Sequence, residues 1–513
     1  MRASIVIAAL VALCLVAPAQ TWVARYDGTG DEDATWGIAT DGAGNVYVTG
    51  ASWSTSTSYD FATVGYSSSG DTLWTRRHDG AQSGVDGARA VAAGAGRVAV
   101  TGGSADANLF SDILTVVYDA TGDTLWTATF AGPDSANDHG LTAAVDAAGN
   151  VYVAGYAQFD TSGWDFVTIK YDPAGNRQWV GRYTTEFEDF ASHIAVDGDG
   201  NVYVTGSTGN PYLLTWDYAT VKYNAAGVEQ WAARYDGPGI EDDEPSGLVV
   251  DDDGNVYVTG GSLGSGTNMD YATVKYSPSG ETLWVRRHDG PVNGADEATG
   301  IALAPDGSVV ITGFSEGDGT NMDFLTVCYS PAGVEQWTAR YDGPDHDFDE
   351  ARAVVVDGDG NVYVSGSSWG DRYDYLTIKY DSEGNEQWVE RYDGPDDGFD
   401  EPIGMVLDGA GGVCVAGRSD GVGTGIDYAT CRYLATGIKE EADGGMLKVE
   451  TSTPTLVRGI LTVARRTSAD LLDINGRLVM GLAPGANDVS ALEPGVYFVR
   501  CDGSSAKLVL SPR

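Results

Sequence analysis

Aspartate residues recur along this chain in two series whose spacing could build rings of carboxylates. The first series lies in the link that leads into each repeated unit, at Asp33, Asp86, Asp138, Asp189, Asp243, Asp296, Asp349 and Asp400. The second series opens the third strand-like run of each unit, at Asp60, Asp112, Asp165, Asp217, Asp270, Asp323, Asp374 and Asp427. Ca²⁺ prefers oxygen ligands, so such rings could hold Ca²⁺ or attract a cation into a central channel.

Both series also fit a structural role, because Asp commonly accepts backbone N–H bonds in its own turn. A role inside each unit explains a residue that occurs once per unit, so we favour this interpretation. The first series remains the candidate set of calcium ligands, and no other cofactor is expected. The stretch "DDDGN" at residues 251–255 predicts a hairpin turn, because no Glu closes a calcium loop after it.

Catalytic residues are not predicted anywhere in the chain. The five histidines are scattered and form no zinc or acid–base pattern. Carboxylates suitable for glycoside hydrolysis are so numerous that no pair can be selected without geometry.

Short strands must position these carboxylates. Tryptophan recurs at intervals of 51 to 53 residues, at Trp22, Trp74, Trp126, Trp179, Trp231, Trp284, Trp337 and Trp388. Each unit contains four strand-like runs, such as "GLVV", "NVYVTG", "YATVKY" and "TLWVRR", separated by Gly, Asp, Asn, Ser and Pro turns. Four antiparallel strands per repeat are typical of a β-propeller blade.

The number of blades follows from counting each run. The tryptophan run, the "TVKY" run and the "NVYVTG" run each occur eight times, but the chain opens on a lone tryptophan run, "TWVARYDG". We therefore predict an all-β fold: an eight-bladed β-propeller over residues 20–435, closed by the N-terminal strand. That strand completes the blade that contains Tyr433 and removes the free edges of an open array.

Loops at one end of the predicted blades vary between repeats, which is where binding specificity tends to lie. Loops alternate between the two ends of a blade, so the second-to-third loops share a face with the links between blades. The aromatic residues in these variable loops are the predicted ligand contacts: Trp53, Phe159, Trp164, Tyr212, Trp216 and Trp369. The alternative is that several of these rings only fill gaps between blades.

The net charge of the chain limits the kinds of partner that it can bind. Thirty Lys and Arg against seventy-four Asp and Glu give a net charge of −44. This charge repels phosphate backbones and anionic lipids, so we expect no nucleic-acid partner.

Residues 1–19 combine Arg2, an apolar run and an Ala-Pro-Ala site, which predicts a cleaved signal peptide. No later apolar run is long enough for a transmembrane segment, so a secreted or outer-surface location is expected.

The repeats resemble the bacterial secreted β-propeller repeat family, whose members carry "G-N-x-Y-V-T-G" followed by "D-x-x-x-x-K-Y" and a Gly turn. The resemblance covers about residues 21–434. It implies an exported propeller, commonly of seven blades, whereas this chain holds eight copies. It implies little about chemistry.

The C-terminal segment, residues 446–513, follows a linker at 436–445 and resembles the sorting domain of type IX secretion cargo. The matching stretches are "LLDINGRLV" at 471–479, "PGVYFVR" at 494–500 and the terminal "KLVL", whereas "TPTLVRG" replaces the usual Pro-Asn-Pro. The resemblance implies a small β-sandwich that the secretion machinery recognises. The alternative is a plain β-sandwich that stabilises or binds.

These observations predict a monomeric, exported, surface-associated propeller. It would act as a binding or structural interaction module, with a protein or glycan ligand at its variable-loop face. The alternative is a secreted polysaccharide hydrolase or lyase whose site lies at the channel mouth.

Overall fold

A computed structural model describes residues 20–28, 32–80, 84–108, 110–133, 136–160, 163–210, 215–239, 242–266, 268–396 and 398–434, and strands between 456 and 510. The predicted signal peptide (1–19) and linker (436–445) lie outside the described residues. No helix occurs in the described part of the chain, which confirms the all-β fold class.

Eight antiparallel four-stranded sheets follow one another along the chain, and we number them as blades 1 to 8. Blade 1 consists of β2 (Asp33–Thr40), β3 (Val46–Ser54), β4 (Ser58–Tyr66) and β5 (Thr72–His78), and blade 2 consists of β6 (Gly87–Gly94), β7 (Arg97–Ala105), β8 (Ser111–Asp119) and β9 (Thr124–Phe130). Blade 3 consists of β10 (His139–Val145), β11 (Val151–Asp160), β12 (Gly163–Tyr171) and β13 (Arg177–Tyr183), and blade 4 consists of β14 (Asp189–Val196), β15 (Val202–Asn210), β16 (Thr215–Tyr223) and β17 (Glu229–Tyr235). Blade 5 consists of β18 (Asp243–Val250), β19 (Val256–Leu263), β20 (Met269–Tyr276) and β21 (Thr282–His288). Blade 6 consists of β22 (Asp296–Leu303), β23 (Val309–Glu316), β24 (Met322–Tyr329) and β25 (Glu335–Tyr341). Blade 7 consists of β26 (Asp349–Val356), β27 (Val362–Trp369), β28 (Tyr373–Tyr380) and β29 (Glu386–Tyr392).

Blade 8 combines both ends of the repeat region. Its strands are β30 (Asp400–Leu407), β31 (Gly412–Gly421), β32 (Gly425–Leu434) and β1 (Gln20–Tyr26), hydrogen-bonded in that order. The prediction of eight blades closed by the N-terminal strand is therefore confirmed.

The first strand of each blade lies innermost, where it contacts the first strands of both neighbours. These contacts run from β2 to β6 and onward through β10, β14, β18, β22 and β26 to β30, which contacts β2 again. Apolar clusters fill the space between adjacent blades. For example, Tyr47 and Trp74 of blade 1 pack with Val98, Leu114 and Tyr118 of blade 2.

Each tryptophan on an outermost strand packs against the next blade, as its position predicted. The Trp74 indole donates its Nε1–H to the Ala120 carbonyl at 3.1 Å. Its ring covers Gly122, whose φ is +82°, and a Cβ at that glycine would lie 2.7 Å from the ring. In the seven described turns that precede a tryptophan strand, the glycine is thus required by its positive φ and by the indole of the preceding blade.

Every innermost strand carries a β-bulge near its start, where the pairing register shifts by one residue. The skipped residues are Trp36, Arg89, Leu141, Ser192, Ser246, Thr299, Arg352 and Ile403. A bulge re-aims a side chain without ending the sheet, so these eight positions can vary while the blade is kept.

The turns between first and second strands and between third and fourth strands define the hairpin face of the propeller. The loops between second and third strands and the links between blades define the loop face. The first Asp series and the skipped residues lie toward the loop-face ends of the innermost strands.

The chain divides into two compact units. Trp22–Glu386 with Glu390–Arg432 forms one, and the other includes Gln387–Val389 and the described residues from Tyr433 onward. The C-terminal strands are β33 (Leu456–Val457), β34 (Ile460–Val463), β35 (Ala469–Asp473), β36 (Leu478–Leu482), β37 (Gly485–Asp488), β38 (Gly495–Cys501) and β39 (Ser504–Leu510). They form a five-stranded sheet and a two-stranded sheet, and their packing as a sandwich stays a prediction. Among the described residues, we find no helix with the length and hydrophobicity needed to span a bilayer.

Candidate functional site

A cavity of about 720 Å³ opens on the loop face where blades 1, 2 and 3 meet. Its wall is mostly apolar, and its chemically distinctive lining residues are Trp36, Tyr59, Arg89, Asn137 and His139. Ligand sites typically have about 300–1,000 Å³ and a few polar groups in an apolar wall. The cavity has the size and composition of a small-ligand site.

Two neighbouring β-bulges supply the most prominent side chains of this cavity. The Arg89 guanidinium carbon lies 4.0 Å from the centre of the Trp36 ring, a cation–π contact that holds both groups in place. The Trp36 side chain is 37% exposed, so part of its ring surface faces solvent. The bulges thus present a flat aromatic surface beside a fixed positive charge.

His139 begins the innermost strand of blade 3 and forms another wall of the cavity. Burial, and after it the positive charge of Arg89, lower the pKa of His139 below its ordinary value. The imidazole is therefore neutral at physiological pH and can both donate and accept a hydrogen bond. Its ring centre lies 5.3 Å from that of Tyr156, which connects the cavity to a second feature.

An aromatic cluster continues from the cavity across blades 3 and 4, and consists of Tyr156, Trp164, Phe190 and Trp216. Phe190 lies at its centre, with ring centres 4.8 Å from Tyr156, 5.7 Å from Trp164 and 5.4 Å from Trp216. All four side chains are half-buried, so each also presents surface to solvent. The predicted ligand residues Trp164 and Trp216 are thus brought together through Phe190, which sequence reasoning missed.

Two further predicted aromatic residues lie apart from this cluster. Trp53 stacks edge-on against Tyr59 within blade 1, with ring centres 5.0 Å apart. Trp369 makes the same contact with Tyr373 in blade 7, at 4.8 Å. Trp53 reaches the cavity only through Tyr59, and Trp369 belongs to a separate part of the loop face.

Phe159 fills a gap between blades, as the alternative interpretation predicted for some of these rings. It packs against Phe130 of blade 2, and the Arg182 guanidinium lies 4.8 Å from its ring centre. Tyr212 lies outside the described residues, and its assignment stays a prediction.

The first Asp series is buried and joins consecutive blades. All eight side chains belong to residues that are at most 1% exposed. Each accepts a backbone N–H at 2.5–2.7 Å from the link that precedes it, and the donors are Gly28, Gly80, Gly132, Thr185, Gly237, Gly290, Gly343 and Gly394. One oxygen of every carboxylate therefore has the structural role that we favoured.

The second Asp series pairs with a third repeated residue that sequence reasoning missed. In seven blades an arginine three positions after the tryptophan binds the Asp at 2.6–2.8 Å, and the arginines are Arg25, Arg77, Arg182, Arg234, Arg287, Arg340 and Arg391. In blade 2 Thr129 takes that position, so Asp112 has no equivalent arginine. The constant spacing from tryptophan was the signal that could have revealed these ion pairs.

Three carboxylates converge at several junctions between blades, and we call each group a carboxylate triad. A triad combines the Asp of the second series, the Asp of the "YDG" or "HDG" turn, and the first-series Asp of the next blade. Described triads are Asp27 with Asp33 and Asp427; Asp60 with Asp79 and Asp86; Asp217 with Asp236 and Asp243; Asp270 with Asp289 and Asp296; and Asp323 with Asp342 and Asp349. In each triad one oxygen per carboxylate lies within 4.8 Å of the others, so these residues could hold a metal ion.

Burial perturbs the first-series carboxylates most strongly in blades 3 and 4. Burial raises the pKa of Asp138 to about 6, although N–H bonds from Gly132 and Gln158 act to lower it. Burial likewise raises the pKa of Asp189 to about 6, against the bonds from Thr208 and Thr185. Ionisation of these groups therefore opposes the folded state near neutral pH.

Comparison with known proteins supports a β-propeller repeat family. A family model described as a beta-propeller repeat matches residues 178–212, 230–266 and 345–374. A curated relative, an uncharacterized WD repeat-containing protein of Acanthamoeba polyphaga mimivirus, is 24% identical over 270 residues. That alignment covers 44% of this chain and 18% of the viral protein, so the chain spans less than a fifth of this relative.

Solved structures that match this chain include a gluconolactonase from Xanthomonas campestris and the β-propeller domain of the Trilobed protease from Pyrococcus furiosus. The gluconolactonase is 14% identical, with a TM-score of 0.29 over 55% of this chain and 90% of its own. The protease domain is 10% identical, with a TM-score of 0.37 over 71% of this chain and 96% of its own.

Proposed function

We propose that this protein is an exported, surface-associated binding module whose loop face recognises a neutral oligosaccharide. The observation that carries this proposal is the cavity at Trp36 and Arg89, which continues into the aromatic cluster. Flat aromatic rings can cover the apolar faces of sugar units, and the side chains of Arg89, Asn137 and His139 can bond to their hydroxyl groups.

Charge favours a neutral glycan over an acidic one. The net charge of −44 repels anionic polysaccharides at long range, and the positive charge of Arg89 is engaged by Trp36. A neutral ligand avoids this repulsion and still uses every polar group of the cavity wall.

Binding is better supported than hydrolysis. Among the described residues that line the cavity, Asp86 is the one carboxylate. Its two oxygens accept backbone N–H bonds, from Gly80 at 2.7 Å and from Ala105 at 2.9 Å. Glycoside hydrolysis needs a pair of carboxyl groups on either side of the scissile bond, and this wall supplies one that is already engaged.

Glycan-array screening of the full chain, followed by calorimetry on the best neutral oligosaccharide, tests the site. We expect Trp36→Ala to weaken Kd at least about tenfold, because a stacked aromatic surface is lost. Trp369→Ala is the matched control, since it removes a loop-face tryptophan outside the cavity. Equal losses in both variants, or binding of none of the neutral glycans, would contradict the proposal.

Export is a separate part of the proposal, supported by the apolar N-terminal run and by the resemblance of residues 446–513 to sorting domains. The expected result in the native host is a mature chain that begins at Gln20 and is found at the cell surface. N-terminal sequencing and surface proteolysis measure this. A chain that retains residues 1–19 inside the cell would overturn it.

A further inference from the structure

The triad between blades 6 and 7 has the best-defined geometry. Asp323 is the second residue of β24, Asp342 follows β25, and Asp349 begins β26, so two blades contribute to it. Asp323 and Asp349 are each 1% exposed. One oxygen from each of the three carboxylates lies within 4.8 Å of the others.

Each carboxylate of this triad uses one oxygen for the protein. Asp323 Oδ2 accepts from Arg340 Nη1 at 2.7 Å and from the Thr320 hydroxyl at 3.0 Å. Asp349 Oδ2 accepts the Gly343 N–H at 2.6 Å. Asp342 Oδ2 bonds to His346 Nδ1 at 2.6 Å.

Two of these carboxylates have an oxygen without a partner. Oδ1 of Asp323 and Oδ1 of Asp342 are buried and have no hydrogen-bond partner among the described residues, whereas Asp349 also bonds to the Ser368 side chain. A buried polar atom without a partner costs free energy, most of all when it is charged, so such atoms need an explanation. Two of them within one triad indicate a ligand that binds oxygen donor atoms.

Charge indicates the kind of ligand. Three carboxylates meet at this junction, where Arg340 pairs with Asp323 and His346 bonds to Asp342. A single divalent cation would offset the remaining negative charge and relieve the repulsion among the carboxylates.

The same leftover oxygens occur at other triads. Oδ1 of Asp60 and Oδ1 of Asp427 are buried and have no partner among the described residues. Asp86 has no such oxygen, because the N–H groups of Gly80 and Ala105 take both of its oxygens. In its triad, Asp60 Oδ1 is the buried oxygen without a partner among the described residues.

Two junctions lack the third carboxylate, because Ala131 and Thr184 replace the Asp of the "YDG" turn. At these two junctions, hydrogen bonds from the protein occupy both oxygens of the first-series carboxylate. Asp138 accepts the Gly132 N–H with Oδ2 and the Gln158 N–H with Oδ1. Asp189 accepts the Thr185 N–H with Oδ2, and it accepts the hydroxyl groups of Thr185 and Thr208 with Oδ1.

We infer that the carboxylate triads are Ca²⁺ sites that hold adjacent blades together on the loop face. Carboxylate oxygens are hard ligands, which favour Ca²⁺ or Mg²⁺ over soft metals. Ca²⁺ accepts irregular coordination completed by water, whereas Mg²⁺ demands a near-octahedral shell that three carboxylates on separate strands are poorly placed to supply. This inference is independent of the proposed glycan site.

Calorimetry with CaCl₂ on the full chain, after dialysis against EDTA, tests the inference. We expect several Ca²⁺ per chain and a melting temperature that rises by about 5 °C or more in saturating CaCl₂. Asp342→Asn should lower the stoichiometry by one, because it removes the most accessible carboxylate of one triad. Asp359→Asn, an exposed hairpin carboxylate of blade 7, is the matched control and should change neither quantity.

A combined variant, with Asp79, Asp236, Asp289 and Asp342 each changed to Asn, should lose most of the calcium-dependent rise in melting temperature. Circular dichroism verifies that it folds. Absence of heat and of a thermal shift at millimolar CaCl₂ would overturn the inference. So would an unchanged stoichiometry in the combined variant, which would place the ions elsewhere, or tighter binding of Mg²⁺ than of Ca²⁺.

Discussion

Asp197 on the hairpin face of blade 4 and Asp323 on the loop face of blade 6 both belong to series of carboxylates that recur between blades, but their hydrogen bonds differ. Asp197 accepts four hydrogen bonds, from the N–H groups of Asp199 and Asn201, the Asn201 side chain and the Tyr203 hydroxyl. Burial acts to raise the pKa of Asp197, but these hydrogen bonds outweigh it and lower the pKa. Both of its oxygens are satisfied.

Asp323 has an oxygen without a partner among the described residues, and burial raises its pKa. The hairpin pattern repeats at Asp41, Asp146, Asp251 and Asp357, each of which bonds the Asn and the Tyr of its own hairpin. Periodicity therefore does not separate structural from functional carboxylates in a repeat protein. The hydrogen bonds that each oxygen receives do.

Removal of the arginine at a triad should have the largest effect on stability. Arg340→Ala leaves Asp323 buried without its ion pair, at a cost of about 3 kcal/mol in the free energy of unfolding. Urea denaturation in calcium-free buffer measures this. Arg352→Ala is the control, because its pair with Glu350 is exposed and contributes about 0–1 kcal/mol. Equal costs would mean that burial at the triad has no electrostatic consequence.

The pH dependence should have opposite signs at the two faces. The pKa of Asp138 is about 6 in the folded state, against about 3.9 when unfolded. Its stabilising contribution is full below pH ~4 and is lost as pH rises through 6, by up to about 3 kcal/mol. The pKa of Asp197 is lowered, so its contribution is present above pH ~4 and is lost as pH falls through its folded value.

Urea denaturation between about pH 2 and pH 7.5 checks these signs. Asp138→Asn should flatten the decline between pH 4 and 6, whereas Asp197→Asn should flatten the loss at the acid end. An Asp138→Asn variant with the same pH profile as the unmodified chain would contradict the assignment of the raised pKa.

Substitution in a hairpin should have a moderate effect. Asp197→Ala removes four hydrogen bonds at once and should cost about 2 kcal/mol in the free energy of unfolding. Asp199→Ala in the same turn is the control, since its side chain is exposed and should cost less than about 0.5 kcal/mol. Chemical denaturation at pH 7 compares the two, and a neutral Asp197→Ala would show that these bonds are replaced by water.

Asp289→Asn should have the smallest effect on the free energy of unfolding, and the sign of that effect should depend on calcium. The Asp289 side chain is exposed, and burial and the nearby charge of Asp270 raise its pKa. In calcium-free buffer the substitution relieves repulsion and should stabilise by a few tenths of a kcal/mol. With CaCl₂ present it should destabilise relative to the unmodified chain. The same sign under both conditions would separate this carboxylate from any cation site.

Most of the fold could be predicted from the sequence, because its information is local. Most first-to-second hairpins carry their own Asp, Asn and glycine, and each repeated tryptophan marks an outer strand, so one unit predicts the next. The closing strand followed from the offset between the first tryptophan run and the blade that contains Tyr433. The signal peptide and linker remain predictions outside the described residues.

Less of the candidate site could be predicted. Trp164 and Trp216 were identified as variable-loop aromatics, but Trp53, Phe159 and Trp369 lie in separate surroundings. Trp36, Arg89 and His139 were not identified, because they lie on the innermost strands, whose sequences indicate only a structural role. A comparison of residues at the bulge position of each unit would have singled out Trp36 as the one aromatic there.

The sequence by itself determined the eight units, their strand order and their turns, because these depend on residues within about one repeat of each other. Only the tertiary structure decided which side chains meet across units. Arg89 reaches Trp36, and Asp349 reaches Asp323, because ring closure sets neighbouring blades at a fixed spacing and the bulges redirect single residues. Those contacts span different repeats, so no pattern within one repeat could specify them.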